Sequence, residues 1–100
     1  MILEVAVLSV AAGQTAAFER AFEQAQAIIS SMDGYLGHRL ERCLETPDRY
    51  LLLVEWARLE DHTEGFRGSP QYQQWKALLH HFYTPFPEVE HYTTVFRNDG

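Results

Sequence analysis

The chain has 100 residues, a formal net charge of −6, 46% hydrophobic residues and one cysteine, Cys43. This length suits one globular domain over residues 1–100, and a single cysteine excludes an internal disulfide. An acidic chain without a Lys/Arg cluster or a membrane-spanning apolar run is a poor candidate for binding nucleic acid or membranes, so we expect a soluble cytoplasmic protein.

The first third of the chain predicts one strand followed by one helix. Residues 2–11 are apolar on both faces, which is typical of a central strand that is covered on both sides. From about residue 14 to residue 31, apolar side chains recur at helical spacing and form a single stripe. Asp33-Gly34 is a residue pair typical of turns and ends this helix.

The middle of the chain predicts a hairpin and a short helix. Residues 35–45 alternate between two faces, and residues 49–57 are again apolar on both faces. One face of the first of these strands is predicted to carry Leu36, His38, Leu40, Arg42 and Leu44. Residues 46–48 (Thr-Pro-Asp) form the turn between these two strands. Residues 60–67 are predicted as a short helix that Gly68 caps at its end.

The last third predicts a second helix and a final strand. Ser69 is a good N-cap, and Pro70 suits the first helical position because no amide hydrogen is needed there. The helix extends to about Tyr83, where Pro85 ends it, and residues 88–96 are predicted as a strand. The helix carries one stripe of apolar residues, namely Tyr72, Trp75, Leu78, Leu79 and Phe82.

The predicted order βαββαβ is that of a ferredoxin-like α+β fold, an antiparallel sheet with its helices on one face. The first and third strands are apolar on both faces, so the face without helices would expose a large apolar patch to water. A second copy related by a two-fold axis is the simplest cover. We therefore expect a homodimer that packs through the open sheet face, forming a dimeric α/β barrel.

Two segments carry a family resemblance. These are the block LLLVEW…EDHTEGFRGSPQYQQW…LLHHFYTPFPEVEHY and the earlier FERAFEQAQAIISSMDG. With their strand tryptophan, Phe-x-x-Ser-Pro helix start and aromatic helix, they resemble the antibiotic biosynthesis monooxygenase domain family over about residues 2–96. The resemblance implies a dimeric α+β barrel. Members of that family include cofactor-independent oxygenases of polycyclic phenols or quinols, and haem-degrading enzymes.

Three departures from the family pattern bear on function. Oxygenases of the family that oxidise aromatic polyketides have an asparagine four residues before the strand tryptophan, where this chain has Leu52. Haem-degrading members have a helix histidine and a first-strand asparagine, where this chain has Trp75 and Val7. The haem interpretation is therefore disfavoured, and the oxygenase interpretation loses one hydrogen-bonding group.

A cofactor-free oxygenase needs a base, a dry aromatic pocket and a donor for developing anions, because the substrate is itself the reductant. His62 and His91 are the candidate bases, Trp56 a candidate pocket wall and N–H donor, and Arg67 a candidate oxyanion donor. Simpler interpretations stay open. Trp56 could be a core residue, His62 a solvated first-turn residue, Arg67 a donor to helix carbonyls and His91 a buried structural histidine.

The candidate substrate-binding residues are those expected to surround such a pocket, namely Leu52, Phe66, Tyr72, Trp75, Leu79 and Phe82. No histidine or cysteine spacing is typical of a metal site, so we expect no metal and no cofactor. Cys43 is interpreted as a small packing residue.

Three functions remain at this point. The leading hypothesis is a cofactor-independent monooxygenase of a small electron-rich aromatic. The second is a non-catalytic module that binds or senses a small apolar or aromatic ligand, which Leu52 favours because it makes the pocket less polar. The third and weakest is a haem-binding or haem-degrading protein that uses His62, His81 or His91 as its ligand.

Overall fold

The computed structural model describes residues 1–100 and has four strands and two α-helices. The sheet order is β2-β3-β1-β4, all neighbours are antiparallel, and both helices pack on one face, which confirms the ferredoxin-like prediction. Two short helical segments complete the chain. One is π-helical and wider than an α-helix (the π segment), and the other is a 3₁₀ turn, which is tighter. The elements are β1 Ile2–Ser9, α1 Thr15–Ser30, β2 Tyr35–Arg42, β3 Arg49–Trp56, the π segment Asp61–Phe66, α2 Pro70–Leu79, the 3₁₀ turn His80–Phe82 and β4 Val89–Tyr92.

The core lies between the helices and one face of the sheet. In β1 and β3 the even-numbered residues point into it, because side chains alternate across a strand. The apolar stripe of α1 lies against them through Phe18, Phe22, Ala25 and Ile29. No helix has the length and apolar character needed to cross a membrane. The cytoplasmic location stays a prediction.

The odd-numbered side of the sheet has no helix over it. Val5 lies opposite Leu53 and Val7 opposite Leu51 in the β1–β3 ladder. Such cross-strand pairs form a continuous apolar surface in the middle of this face. The surface, called the open face below, consists of Leu3, Val5, Val7, Leu51 and Leu53.

Helix α2 begins as predicted. The Ser69 hydroxyl accepts a hydrogen bond from the Tyr72 N–H at 3.1 Å, which satisfies one of the amides that a helix start leaves unpaired. Pro70 occupies the first turn, where its missing N–H costs nothing. The helix is shorter than predicted, because the chain tightens into the 3₁₀ turn at His80.

The prediction for β2 is wrong at its start. A register shift between Tyr35 and Gly37 turns Leu36 outward, so that Leu36 is 54% exposed instead of sharing a face with His38. Leu44 was predicted on the same face but lies beyond the end of the strand and is exposed. A single extra residue in a strand reverses every later side chain, and alternation alone does not reveal it.

The edge of β1 beside β4 is interrupted. β4 was predicted over residues 88–96 but spans only Val89–Tyr92 and pairs with Leu3–Ala6. Further along the same edge, the Thr84 N–H donates to the Ser9 carbonyl at 2.8 Å. Between these two contacts, residues 85–88 leave the sheet. We call residues 85–88 the arch.

Gly68 does not cap a helix in the way predicted. Its φ is not positive, and the preceding segment is π-helical rather than α-helical. A Cβ atom at this position would lie 2.6 Å from the carbonyl oxygen of Glu64. Glycine is therefore needed here for close approach of two backbone segments, not for a left-handed conformation.

Gly34 has a φ of 81°, and a Cβ there would overlap the carboxylate of Asp61. Gly13 has a similar φ of 78° with open space around it. We expect Gly13→Ala to lower the free energy of unfolding by about 1–2 kcal/mol through backbone strain alone. Gly34→Ala should lower it by clearly more. Urea denaturation measures both, and equal losses would contradict a close contact between Gly34 and Asp61.

Candidate active site

A cavity of about 230 Å³ lies between the sheet, the π segment and α2. Ala6, Leu8 and Leu52 form its sheet side. Aromatic side chains cover the opposite side, and the arch contributes to the lining. The aromatic and arch residues are Phe66, Tyr72, Trp75, Tyr83, Phe86 and Pro87. The interior is mostly apolar, with polar groups concentrated at Glu4, His62, Arg67 and His80, as is usual for small-molecule sites.

Glu4 is the buried carboxylate of the cavity, with 6% of its surface exposed. The Trp56 Nε1–H donates to its Oε1 at 2.9 Å, whereas its Oε2 makes no hydrogen bond with the protein. Burial raises the pKa of Glu4, and the Trp56 hydrogen bond and the Arg67 charge oppose that rise. The donors therefore partly compensate for the lost hydration of the ionised form.

His62 connects Glu4 to His91. It is 3% exposed, its Nε2 lies 3.3 Å from Glu4 Oε1, and its Nδ1 shares a hydrogen bond with His91 Nε2 at 2.7 Å. The ring stacks on Trp56, with centroids 5.5 Å apart and planes at 21°. Burial, followed by the charges of Arg67 and His91, lowers the pKa of His62 to about 3. His62 is therefore neutral near pH 7, and its contact with Glu4 is not an ion pair.

The fold explains how these residues meet. Glu4 lies opposite Val54 in one ladder and opposite His91 in the other, so Glu4 and His91 share the helix-covered face. The π segment then brings His62 and Phe66 inward together. Wider π-helical turns are frequent at functional sites, and this one places a histidine over the sheet.

Arg67 directly follows the π segment. Its residue surface is exposed, but its side chain reaches the cavity and makes no ion pair with the protein. Its positive charge lowers the pKa of His91, after burial as the main cause. The predicted alternative, a side chain bound to helix carbonyls, is not observed. The guanidinium is available to a bound anion.

Six of the ten predicted site residues line the cavity, namely His62, Arg67, Leu52, Phe66, Tyr72 and Trp75. The other four lie behind this lining. Trp56 is fully buried with its N–H on Glu4, and His91 contacts His62. Leu79 and Phe82 belong to the hydrophobic core. The alternative of a solvated His62 is wrong, and His81 is exposed whereas His80 lines the cavity.

Sequence reasoning missed Glu4. The first strand was interpreted as apolar on both faces, although Glu4 is the only charged residue among residues 2–11. That isolated charge was the available signal. Val7, which was compared with a first-strand asparagine, points away from the cavity, so it cannot fill the role of a cavity residue.

Two further predictions concern metal ligands and Cys43. No three His, Cys, Asp or Glu side chains converge as ligands of a metal ion would. Cys43 lies just beyond β2, where its sulfur accepts a hydrogen bond from the Thr46 N–H at 3.3 Å. Its role is thus local to the turn, remote from the Glu4–His62–His91 cluster.

Comparison with known proteins identifies the family of this chain. The sequence model of the antibiotic biosynthesis monooxygenases matches residues 1–78. The chain belongs to this family. Among its relatives, the uncharacterized protein YczJ of Bacillus subtilis (strain 168) is 60% identical over 95 residues, which are 95% of this chain and 100% of that protein.

Solved structures agree with this family assignment. A family member from Bordetella bronchiseptica is 34% identical with a TM-score of 0.91, and the match covers 95% of this chain and 97% of that one. SnoaB, a cofactor-independent oxygenase from Streptomyces nogalater, has a TM-score of 0.86 over 99% of this chain and 97% of its own. At 19% identity, SnoaB shares the fold of this family member.

The low pKa of His62 predicts acid sensitivity. The unfolded chain takes up a proton at this histidine near pH 6.5, whereas the folded chain does so only near pH 3. Its contribution to stability is therefore complete above pH 6.5 and is lost as the pH falls towards 3. We expect wild type to lose on the order of 3–5 kcal/mol more than His62→Gln on acidification.

Urea denaturation between about pH 7 and about pH 4 measures the part of this difference that falls in that window. His81→Gln is the matched control, because His81 is exposed. A His62→Gln variant that follows the wild-type pH dependence would contradict a buried neutral histidine.

Proposed function

We propose that this family member is a cofactor-independent monooxygenase that oxidises a small electron-rich aromatic of the phenol, quinol or anthrone type with dioxygen. The main support is the acid–base cluster formed by buried Glu4 and His62 with half-buried His91, beside an apolar cavity. Buried titratable groups in a cleft, with altered pKa values and defined partners, are typical of catalytic sites. The unpaired Arg67 guanidinium supplies a cation at the same cavity.

The cavity suits a small planar substrate. Its volume of about 230 Å³ lies below the range of about 300–1,000 Å³ usual for drug-sized ligands. Leu52 on one side and Phe66 and Trp75 on the other offer flat apolar contacts to an aromatic ring. Such walls also exclude water, which strengthens every electrostatic interaction inside.

The proposed reaction begins when the cluster removes an acidic proton from the substrate. The resulting anion reduces dioxygen by one electron, and the two radicals combine into a peroxide anion. Loss of water then leaves one oxygen atom in the product as a carbonyl group. Arg67 stabilises the negative charge that develops on the substrate and peroxide oxygens.

A second candidate function is a non-catalytic module for a small apolar or aromatic ligand. Two observations favour it. Leu52 contributes an apolar surface to the cavity, and the Trp56 N–H is occupied by Glu4 instead of facing a ligand. The haem hypothesis has less support, because the cavity is small, His81 is exposed, and the rings of His62 and His91 are hydrogen-bonded to each other.

We propose further that a second copy of the chain covers the open face. Val5 and Leu53 at its centre are only half-buried, which is unusual for paired aliphatic residues in the middle of a sheet. Leu53→Glu should convert a dimer into a monomer in sedimentation velocity. Leu44→Glu, on an exposed residue outside the sheet, should leave the dimer intact. A wild-type monomer at micromolar concentration would contradict the proposal.

Oxygen uptake tests the monooxygenase. Metal-stripped wild type should consume oxygen above autoxidation with at least one member of a panel of dihydroxynaphthalenes, anthrones and benzoquinols. Arg67→Gln should lower kcat by about 10²–10³-fold, because one donor to a developing oxyanion is lost. Arg97→Gln is the control, since Arg97 pairs with Asp99 at the chain's end.

The two functions give different results in this assay. A ligand that raises the melting temperature but supports no oxygen uptake would favour the binding module. Uptake that Arg67→Gln leaves unchanged would keep the oxygenase but remove Arg67 from its mechanism.

A further inference from the structure

We propose that Glu4, acting through its Oε2 atom, is the group that accepts the substrate proton, with His62 and His91 as its positioning residues. This inference rests on the proposed monooxygenase function and assigns a role within the same site. It replaces the histidines as candidate bases with a residue that the sequence pattern did not single out.

The two oxygens of Glu4 differ in their surroundings. Oε1 accepts the Trp56 N–H at 2.9 Å and lies 3.3 Å from His62 Nε2. Oε2 makes no hydrogen bond with the protein. The Glu4 side chain lines the cavity and is 7% exposed. A carboxylate that is held by one oxygen and free at the other is oriented for proton transfer at the free oxygen.

His62 is less suited to this role for reasons of geometry and charge. Its Nδ1 shares a hydrogen bond with His91, and its ring stacks on Trp56. Protonating it would create a buried cation close to the positive charge of Arg67. Protonating Glu4 instead neutralises a buried carboxylate, and the negative charge moves to the substrate in the same cavity, which Arg67 also lines.

The groups around Glu4 define its basicity. His62 faces it from the π segment, and Arg67 from the position directly after that segment. His91 faces it from β4, and Tyr83 from the residues before the arch. The hydrogen bond from Trp56 and then the charge of Arg67 favour the carboxylate and lower its pKa. Burial acts in the opposite direction and makes Glu4 a stronger base than an exposed glutamate.

The proton transfer is balanced over the cycle. An acidic O–H or C–H bond of the substrate breaks, the proton binds Oε2, and the electron pair stays on the substrate. After dioxygen has added, Glu4 returns this proton to the outer peroxide oxygen. That oxygen leaves as water with the second substrate hydrogen, and Glu4 becomes ionised again.

Proton abstraction can be measured without oxygen. Under nitrogen in deuterium oxide, proton NMR follows exchange of the methylene hydrogens of anthrone. We expect wild type to accelerate this exchange over buffer, and Glu4→Gln to lower the acceleration by about 10²–10⁴-fold. Glutamine keeps the shape and an oxygen for the Trp56 N–H but cannot take up the proton. Glu90→Gln, on an exposed residue of β4, is the control.

Chemical rescue separates catalysis from structure. Glu4→Ala should be inactive alone and should regain exchange with added formate or acetate, more strongly with the more basic acetate if both fit. A purely structural role of Glu4 would give no such rescue. Wild-type exchange no faster than buffer, or full exchange in Glu4→Gln, would overturn the inference.

The same variants distinguish this inference from the proposed function. Glu4-dependent exchange without oxygen uptake would contradict the monooxygenase and keep Glu4 as the base. Oxygen uptake that persists in Glu4→Gln would keep the monooxygenase and remove Glu4 from its role.

Discussion

The carboxylate of Glu4 lies on the helix-covered side of a central strand, where an ionised group loses its hydration. The surrounding structure compensates for part of this loss. Trp56 at the end of β3 donates to it, His62 lies beside it, and the positive charge of Arg67 acts on it. Trp56 therefore both fills the core and donates a hydrogen bond to the buried carboxylate. The π segment places His62 over the sheet, where it contacts the same carboxylate.

The position of His62 depends in turn on the turn that ends α1. The Asp61 carboxylate accepts the Arg58 N–H at 3.1 Å and so fixes the beginning of the π segment. It lies where a side chain at Gly34 would be, and the Gly34 carbonyl accepts the Ala57 N–H at 2.7 Å. Gly34 therefore follows the first helix, accepts a hydrogen bond at the end of β3, and leaves the space for Asp61 beside His62.

The fold could be predicted from the sequence because its signals are local. Helical apolar spacing in α1, the Ser69-Pro70 helix start and the turn before β3 each depend on neighbouring residues. The site was only partly predictable. Phe66, Tyr72 and Trp75 were found as an aromatic group, but Glu4 acquires its meaning only through pairing with distant strands. The displacement of Leu36 and the early end of β4 likewise depend on register and edge contacts, which the pattern of one strand does not encode.

The arch separates the shape of the cavity from the integrity of the sheet. Phe86 and Pro87 line the cavity, yet the chain between Thr84 and Val89 contributes no ladder hydrogen bond to β1. Insertions or substitutions there would alter the size of the cavity while the strand register and the acid–base cluster of Glu4, His62 and His91 stay unchanged. One short segment therefore defines part of the shape of the cavity independently of the contacts that hold the Glu4 carboxylate.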